Sequence, residues 1–172
     1  MKLRLPRRNG RLVMGVYTVR EAKPEEQREL TRLCVRATMH SGYDEEFIDR
    51  SMPSLTITLP EISGDFVRVA QDNLYEVVGV VCVMPTALQG IALLHGLFVD
   101  PARWKRGIGR VLFDAAVARA KGMKAGAIMI YANPSAEGFY KRMGAIRIGE
   151  GPFCFSPEIV LPHLLYIIPS ED

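Results

Sequence analysis

The sequence predicts a mixed α/β sandwich folded as one domain. Period-two apolar stretches alternate along the chain with stretches of helical spacing, there is no internal repeat or linker, and one apolar strand enters an amphipathic helix through a basic, glycine-containing turn. At 172 residues, such a domain buries about 70% of the surface it exposes when unfolded and needs no disulfide staples.

Taken in order, residues 16–22 read as a first strand, and residues 24–38 as a helix with Leu30, Leu33, Cys34 and Ala37 at helical spacing. A second short helix, residues 44–50, precedes a loop rich in Pro and Thr. Residues 66–71 and 75–83, joined by Asp72-Asn73, form a hairpin. In the strand 93–99, alternation puts Leu93, His95, Leu97 and Val99 on one face. The helix 109–121 turns Ile108, Val111, Leu112, Ala115 and Ala118 inward, and residues 127–132 return as a strand. A short helix runs to Gly144, followed by strands at 146–149 and 164–168. Between those last two strands, residues 151–162 form an unusually apolar loop.

The net charge of +3 conceals an asymmetry. Residues 1–13 carry Lys2, Arg4, Arg7, Arg8 and Arg11 and no acid, so the rest of the chain is net acidic. That segment reads as a basic, disordered extension with Met14 as an alternative start, leaving residues 14–172 as the domain. It lacks the apolar stretch of a signal peptide, and no run approaches the roughly 20 apolar residues that span a bilayer. A nucleic-acid arm would need a folded basic face or interleaved aromatics, which are absent, so neither nucleic acid nor membrane is expected as a partner. Cys34, Cys82 and Cys154 are odd in number and form no Cys-x-x-Cys, which fits a reducing cytoplasm. Cys34 and Cys82 read as small core residues. His40, His95 and His163 are too scattered for a metal site, and none is expected.

The turn at the end of the strand, Arg106-Gly107-Ile108-Gly109, suits a phosphate-bearing ligand. Glycines let the chain turn sharply and bring several N–H groups to one anion. The following helix adds its unpaired N–H groups and the positive end of its dipole, and Lys105, Arg106 and Arg110 add charge. This is not a Walker loop, since Arg110-Val111 stands where Lys-Ser/Thr belongs. Nor is it a dinucleotide fingerprint, because Leu112 occupies the third glycine's place.

A second constellation runs from Asn133 to Ala145. Asn133 is a good N-cap, Pro134 suits the first helical position, and Gly144 suits the residue beyond the end. Ala136, Phe139, Tyr140 and Met143 share one face. Alone, Tyr140 reads as a core aromatic whose hydroxyl a neighbour satisfies.

Together the two segments resemble the GNAT superfamily of N-acetyltransferases, over roughly residues 16–150. Gly107-x-Gly109 is similar to its pyrophosphate loop, and Asn133-x-x-Ala136-x-x-Phe139-Tyr140-x-x-x-Gly144 to its second signature. Trp104 departs from the usual Gln or Arg, and Ala145 from the usual Phe. The resemblance implies a mostly antiparallel central sheet of about six or seven strands flanked by about four helices, and acetyl-CoA as cosubstrate. It implies a pyrophosphate clamp at Trp104, Lys105, Arg106, Gly107, Ile108, Gly109 and Arg110, working mainly through backbone N–H groups. The pantetheine would lie along Leu97, Phe98 and Val99 as an extra strand. Asn133, Glu137, Phe139 and Tyr140 complete the expected cofactor contacts.

The resemblance also implies catalytic roles. Tyr140 would protonate the departing thiolate, a task that suits a phenol with an ordinary pKa of about 10. The attacking amine needs a base or water relay, and His95 stands where the family carries Glu or His. A histidine held by a backbone carbonyl is the structural alternative. Asp44, Glu45 and Glu46 are alternative bases, or simply a solvated helix face. The region after the second helix covers the acceptor site in this family. The loop 151–162 caps that site, contacts a second copy to make a homodimer, or is a packed connection. Walls of Phe153, Phe155 and Tyr43 would favour small apolar or aromatic amines. The expected function is therefore acetyl transfer to a small-molecule amine by direct attack, with a protein lysine or N-terminal acetyltransferase and a non-catalytic acyl-CoA-binding module as alternatives.

Overall fold

The computed structural model describes residues 17–170 throughout and, before them, the backbone of two short strands. One sheet contains β1 (Arg7–Arg8), β2 (Arg11–Met14), β3 (Tyr17–Glu21), β4 (Val67–Gln71), β5 (Val77–Pro85), β6 (Ile91–Val99), β7 (Ala127–Tyr131), β8 (Ile146–Phe153) and β9 (Ser156–Ile167). Their order is β1-β2-β3-β4-β5-β6-β7-β9-β8. The β6–β7 pair is parallel and the other neighbours are antiparallel. From Tyr17 onward the sheet matches the expected six or seven strands; β1 and β2 extend its edge through part of the segment read as an N-terminal extension. The other residues of that segment lie outside the described ones.

The helices are α1 (Gln27–His40), α2 (Glu45–Leu55), α3 (Leu59–Ser63), α4 (Ile108–Gly122) and α5 (Glu137–Arg142). Leu30, Leu33 and Cys34 of α1 and Phe47 and Ile48 of α2 pack against Val67, Val69, Val80 and Cys82 on one face of the sheet. On the other face, Leu112, Phe113 and Ala116 of α4 and Tyr140 of α5 meet Val81, Leu94, Ile128 and Leu164. Ala118, expected inward, is exposed. The other expected inward residues, Ile108, Val111, Leu112 and Ala115, are buried, and the face is completed by Phe113, Ala116 and Ala120 rather than by Ala118.

Three further departures have local causes. The stretch read as a Pro/Thr-rich loop contains the end of α2 and all of α3. Thr58 and Glu61 form a capping box: the Glu61 amide donates to Thr58 Oγ1 at 3.3 Å, and Thr58 N donates back to Glu61 Oε2 at 2.7 Å. Residues 151–162, read as a loop, largely belong to the β8–β9 hairpin. Their prolines suggested a loop, yet Pro152 lies in edge strand β8. The carbonyl of Pro162 accepts from Ala132 N just past the end of β7, so its nitrogen faces a side where the ladder has stopped. Finally, the strand carrying His95 does not alternate cleanly. Across β5, Cys82 opposes Gly96 and Val83 opposes Leu94, so His95 is the extra residue of a β-bulge. Leu94, Leu97 and Val99 belong to the α4 side, while Leu93 and His95 look into a cavity on the α2 side. The expected common face of Leu93, His95, Leu97 and Val99 is thus divided by the bulge.

Candidate active site

The site begins where two parallel strands part. Ladder pairing between β6 and β7 ends at Leu94 with Ile130, but β6 continues to Val99. The Asp100 amide donates to Val78 O at 2.9 Å, so by antiparallel alternation Phe98 and Gly96 bond to β5 while the polar groups of Leu97 and Val99 face the gap. One of them is already used: Trp104 Nε1 donates to Val99 O at 2.9 Å. The Trp104 ring also meets His40 edge-on with centroids 4.7 Å apart. Trp104 therefore ties the glycine turn to the strand end.

The turn itself is built for an anion. Asp100 Oδ1 accepts from Ala102 N at 3.0 Å and starts a single helical turn, Pro101–Arg103. Lys105 and Gly107 then take left-handed conformations, φ 61° and 81°, and Gly107 is the residue for which this carries no Cβ penalty. In α4 the first intrahelical bond of this end runs from Val111 N to Gly107 O, so the Ile108, Gly109 and Arg110 amides have no acceptor within the helix. A Cβ on Gly109 would lie 3.2 Å from the Phe139 ring. The missing side chain lets α5 close against the start of α4.

These parts line a groove of about 750 Å³. Arg103, Lys105, Arg110 and Arg142 border it, and no Asp or Glu is among its described lining residues. A cationic groove ending in unsatisfied N–H groups, beside a strand edge with free amide groups, fits a phosphate-bearing cosubstrate with an amide-containing arm. The structure brings together in this groove Leu97, Phe98, Val99, Trp104, Lys105, Gly107, Ile108, Gly109, Arg110, Asn133, Phe139 and Tyr140. It leaves out two of the expected contacts. Arg106 is not in the lining, and Glu137 is turned to Lys141 at 2.8 Å and Arg147 at 3.3 Å.

Tyr140 stands on α5, only 6% exposed, against Phe113 and Phe139. Its hydroxyl has no hydrogen-bond partner among the described residues, and burial pushes the phenol above its ordinary range. A second cavity, about 480 Å³, adjoins the groove, and Thr38, Phe98 and Asn133 line both. His95 borders it, with Nε2 3.7 Å from Glu61 Oε1. Glu61 is buried behind the imidazole, its other oxygen held by Thr58. Sequence reasoning missed Glu61, although the pattern Thr58-x-x-Glu61 is a readable capping signal. Asp44, Glu45 and Glu46 are exposed at the start of α2 and border neither cavity; Asp44 caps the helix by accepting from Phe47 N at 2.9 Å. Burial raises the Cys82 thiol to about 12, with the Glu61 carboxylate adding to the effect, and raises Cys34 as well. Both stay protonated at neutral pH, in keeping with core packing.

The sequence model of the Acetyltransferase (GNAT) family matches residues 19–145. The chain belongs to this family. Several proteins of known structure share the fold over nearly their whole length. Ard1 from Thermoplasma volcanium is 17% identical with a TM-score of 0.68, over 91% of this chain and 100% of that one. A GNAT acetyltransferase from Staphylococcus aureus is 18% identical with a TM-score of 0.68, over 89% and 99%. The PaiA N-acetyltransferase of Thermoplasma acidophilum, solved in complex with coenzyme A, is 15% identical with a TM-score of 0.67, over 88% and 98%. No curated protein matches the sequence. As a GNAT member the chain is an acyltransferase by family and fold, and no helix among its described residues is long and apolar enough to cross a membrane.

Proposed function

We propose that this GNAT protein transfers the acetyl group of acetyl-CoA to the primary amine of a small molecule by direct attack. The observation that carries the small-molecule reading is the wall that the β8–β9 hairpin adds to the second cavity. The β8–β9 hairpin closes onto α2, with Arg50 3.1 Å from Glu158 and the Phe47 and Phe153 rings 5.9 Å apart. A chamber walled off on this side admits a compact amine more readily than a polypeptide segment crossing the sheet.

Acetyl-CoA, when bound, supplies an acyl carbon activated as a thioester, and the transfer forms a C–N bond as the C–S bond breaks. The chain's own groups do the rest. Amides from Gly107 to Arg110 hold the diphosphate, and the polar edge of Leu97 and Val99 orients the arm. His95 takes the amine's proton directly or through water, with the Glu61 carboxylate behind it to stabilise the charge it acquires. Tyr140 holds the proton needed on the sulfur side, and its unpartnered hydroxyl is free to give it.

Thiol release with acetyl-CoA and panels of small amines and of lysine- or N-terminus-bearing peptides tests this. Release with small amines and none with peptides is expected. Release with peptides alone would move the assignment to a protein acetyltransferase, and CoA binding with no release from any acceptor would leave an acyl-CoA-binding module.

A further inference from the structure

The cavity beside His95 is lined by uncharged side chains and two imidazoles, His95 and His163, with the Glu61 carboxylate set behind the first. Among the described residues that line it, none is Asp, Glu, Lys or Arg. Of its hydroxyls, Thr38 donates to Cys34 O at 2.8 Å and Ser54 to Ser51 O at 2.8 Å, while the buried Ser51 hydroxyl has no partner among the described residues and is left to meet a neutral polar group of a ligand. One wall is a run of rings from α2 to the hairpin tip. Tyr43 stacks on Phe47 with centroids 4.1 Å apart, and Phe153 meets Phe155 at 5.5 Å. From β7 and β9, Tyr131 and His163 contribute a second ring pair at 4.6 Å.

We propose that the acceptor is a monoamine whose remaining body is uncharged and aromatic. This rests on the acetyltransferase reading above and narrows it to one class of amine. A second ammonium would be stripped of water with no carboxylate to receive it, and an acceptor's own carboxylate would find no Lys or Arg. Diamines, polyamines and free amino acids are therefore disfavoured by desolvation. A flat ring gains edge and face partners from the aromatic wall that an aliphatic body of the same size cannot match. The cavity, about 480 Å³, lies within the range of small-molecule sites and has room for one or two rings.

The test measures calorimetric binding of four probes to the CoA-loaded protein, alongside thiol release with acetyl-CoA. The probes are 2-phenylethylamine, 2-cyclohexylethylamine, 1,5-diaminopentane and free phenylalanine. Phenylethylamine is expected to bind at least tenfold more tightly than the diamine or the amino acid, with the cyclohexyl amine between. Phe153→Leu should shrink the gap between phenyl and cyclohexyl amines, and Ser54→Asp should shrink the gap to the diamine. Equal or tighter binding of the diamine or phenylalanine overturns the proposal, as does failure of all four to bind. If the binding preference holds but no amine releases thiol, the cavity assignment stands and the acetyltransferase reading falls. If all four release thiol at equal rates without a binding preference, the acetyltransferase reading stands and the cavity assignment falls.

Discussion

At the scale of single residues, Tyr140 and His95 divide the proton traffic, and each makes a separable prediction. Tyr140→Phe keeps the packing against Phe113 and Phe139 and removes only the hydroxyl. Turnover should fall by about 100-fold, in the range of a lost general acid, while CoA affinity measured by calorimetry stays within about twofold. Unchanged turnover would remove the acid role. The buried phenol also links to stability. Its pKa is raised above the ordinary value by burial, whereas in the unfolded chain it ionises near pH 10. Below about pH 10 both states keep the proton and stability is unaffected; above it the unfolded state is favoured as it loses its proton first. Urea midpoints should therefore drop between about pH 10 and 11 more steeply for the wild type than for Tyr140→Phe. For His95, the prediction concerns the rising limb of the pH–rate profile. His95→Gln should lose that limb, and a variant retaining it would show that the base lies elsewhere.

At the scale of elements, the instructive cases are α3 and the bulge in β6. The capping box of α3 fixes Glu61 behind His95. Glu61→Gln preserves an acceptor for the Thr58 amide and should be close to neutral for stability, whereas Glu61→Ala should cost about 1 kcal/mol, read from urea denaturation. If the two variants are equally destabilised, the cap is not what holds the segment. The motif was legible, but in a stretch dense with Pro and Thr the loop signal overrode it. The bulge was not legible. Nothing in Leu93-Leu94-His95-Gly96-Leu97 distinguishes an uninterrupted strand from one carrying an extra residue, because the register is set by β5 across the ladder. The glycine turn and the α5 segment could be read, since both depend on local chemistry: left-handed glycine, a capping Asn, an apolar stripe at helical spacing. Trp104 shows the limit of that reading. Its spacing marked a departure from the family pattern, while its bond to Val99 O depends on the meeting of strand end and turn.

At the scale of the whole molecule, function depends on where the sheet opens. The parallel β6–β7 pair holds at one end and parts after Leu94, and the two helical layers end at this opening, α1 and α2 on one face and α4 and α5 on the other. A cationic groove on one side and a largely apolar, aromatic-walled chamber on the other meet at Thr38, Phe98 and Asn133. The mixed α/β character was readable from the order of elements, while the mostly antiparallel sheet was expected from the family resemblance. Tyr43, Phe153 and Phe155 were expected as walls of the acceptor chamber and do line it, but its division from the groove was not readable, because it depends on where β6 and β7 part and on β8 and β9 folding back over α2.

The central claim is that the two chambers are the two halves of one reaction site. Electron density for the protein with CoA and 2-phenylethylamine bound together tests it most directly. The diphosphate should lie within about 3 Å of amides between Gly107 and Arg110, with the sulfur on the Tyr140 side and the amine nitrogen reaching His95 directly or through one water. Density placing the amine outside the chamber bordered by His95, or the diphosphate away from the Gly107 turn, would contradict it.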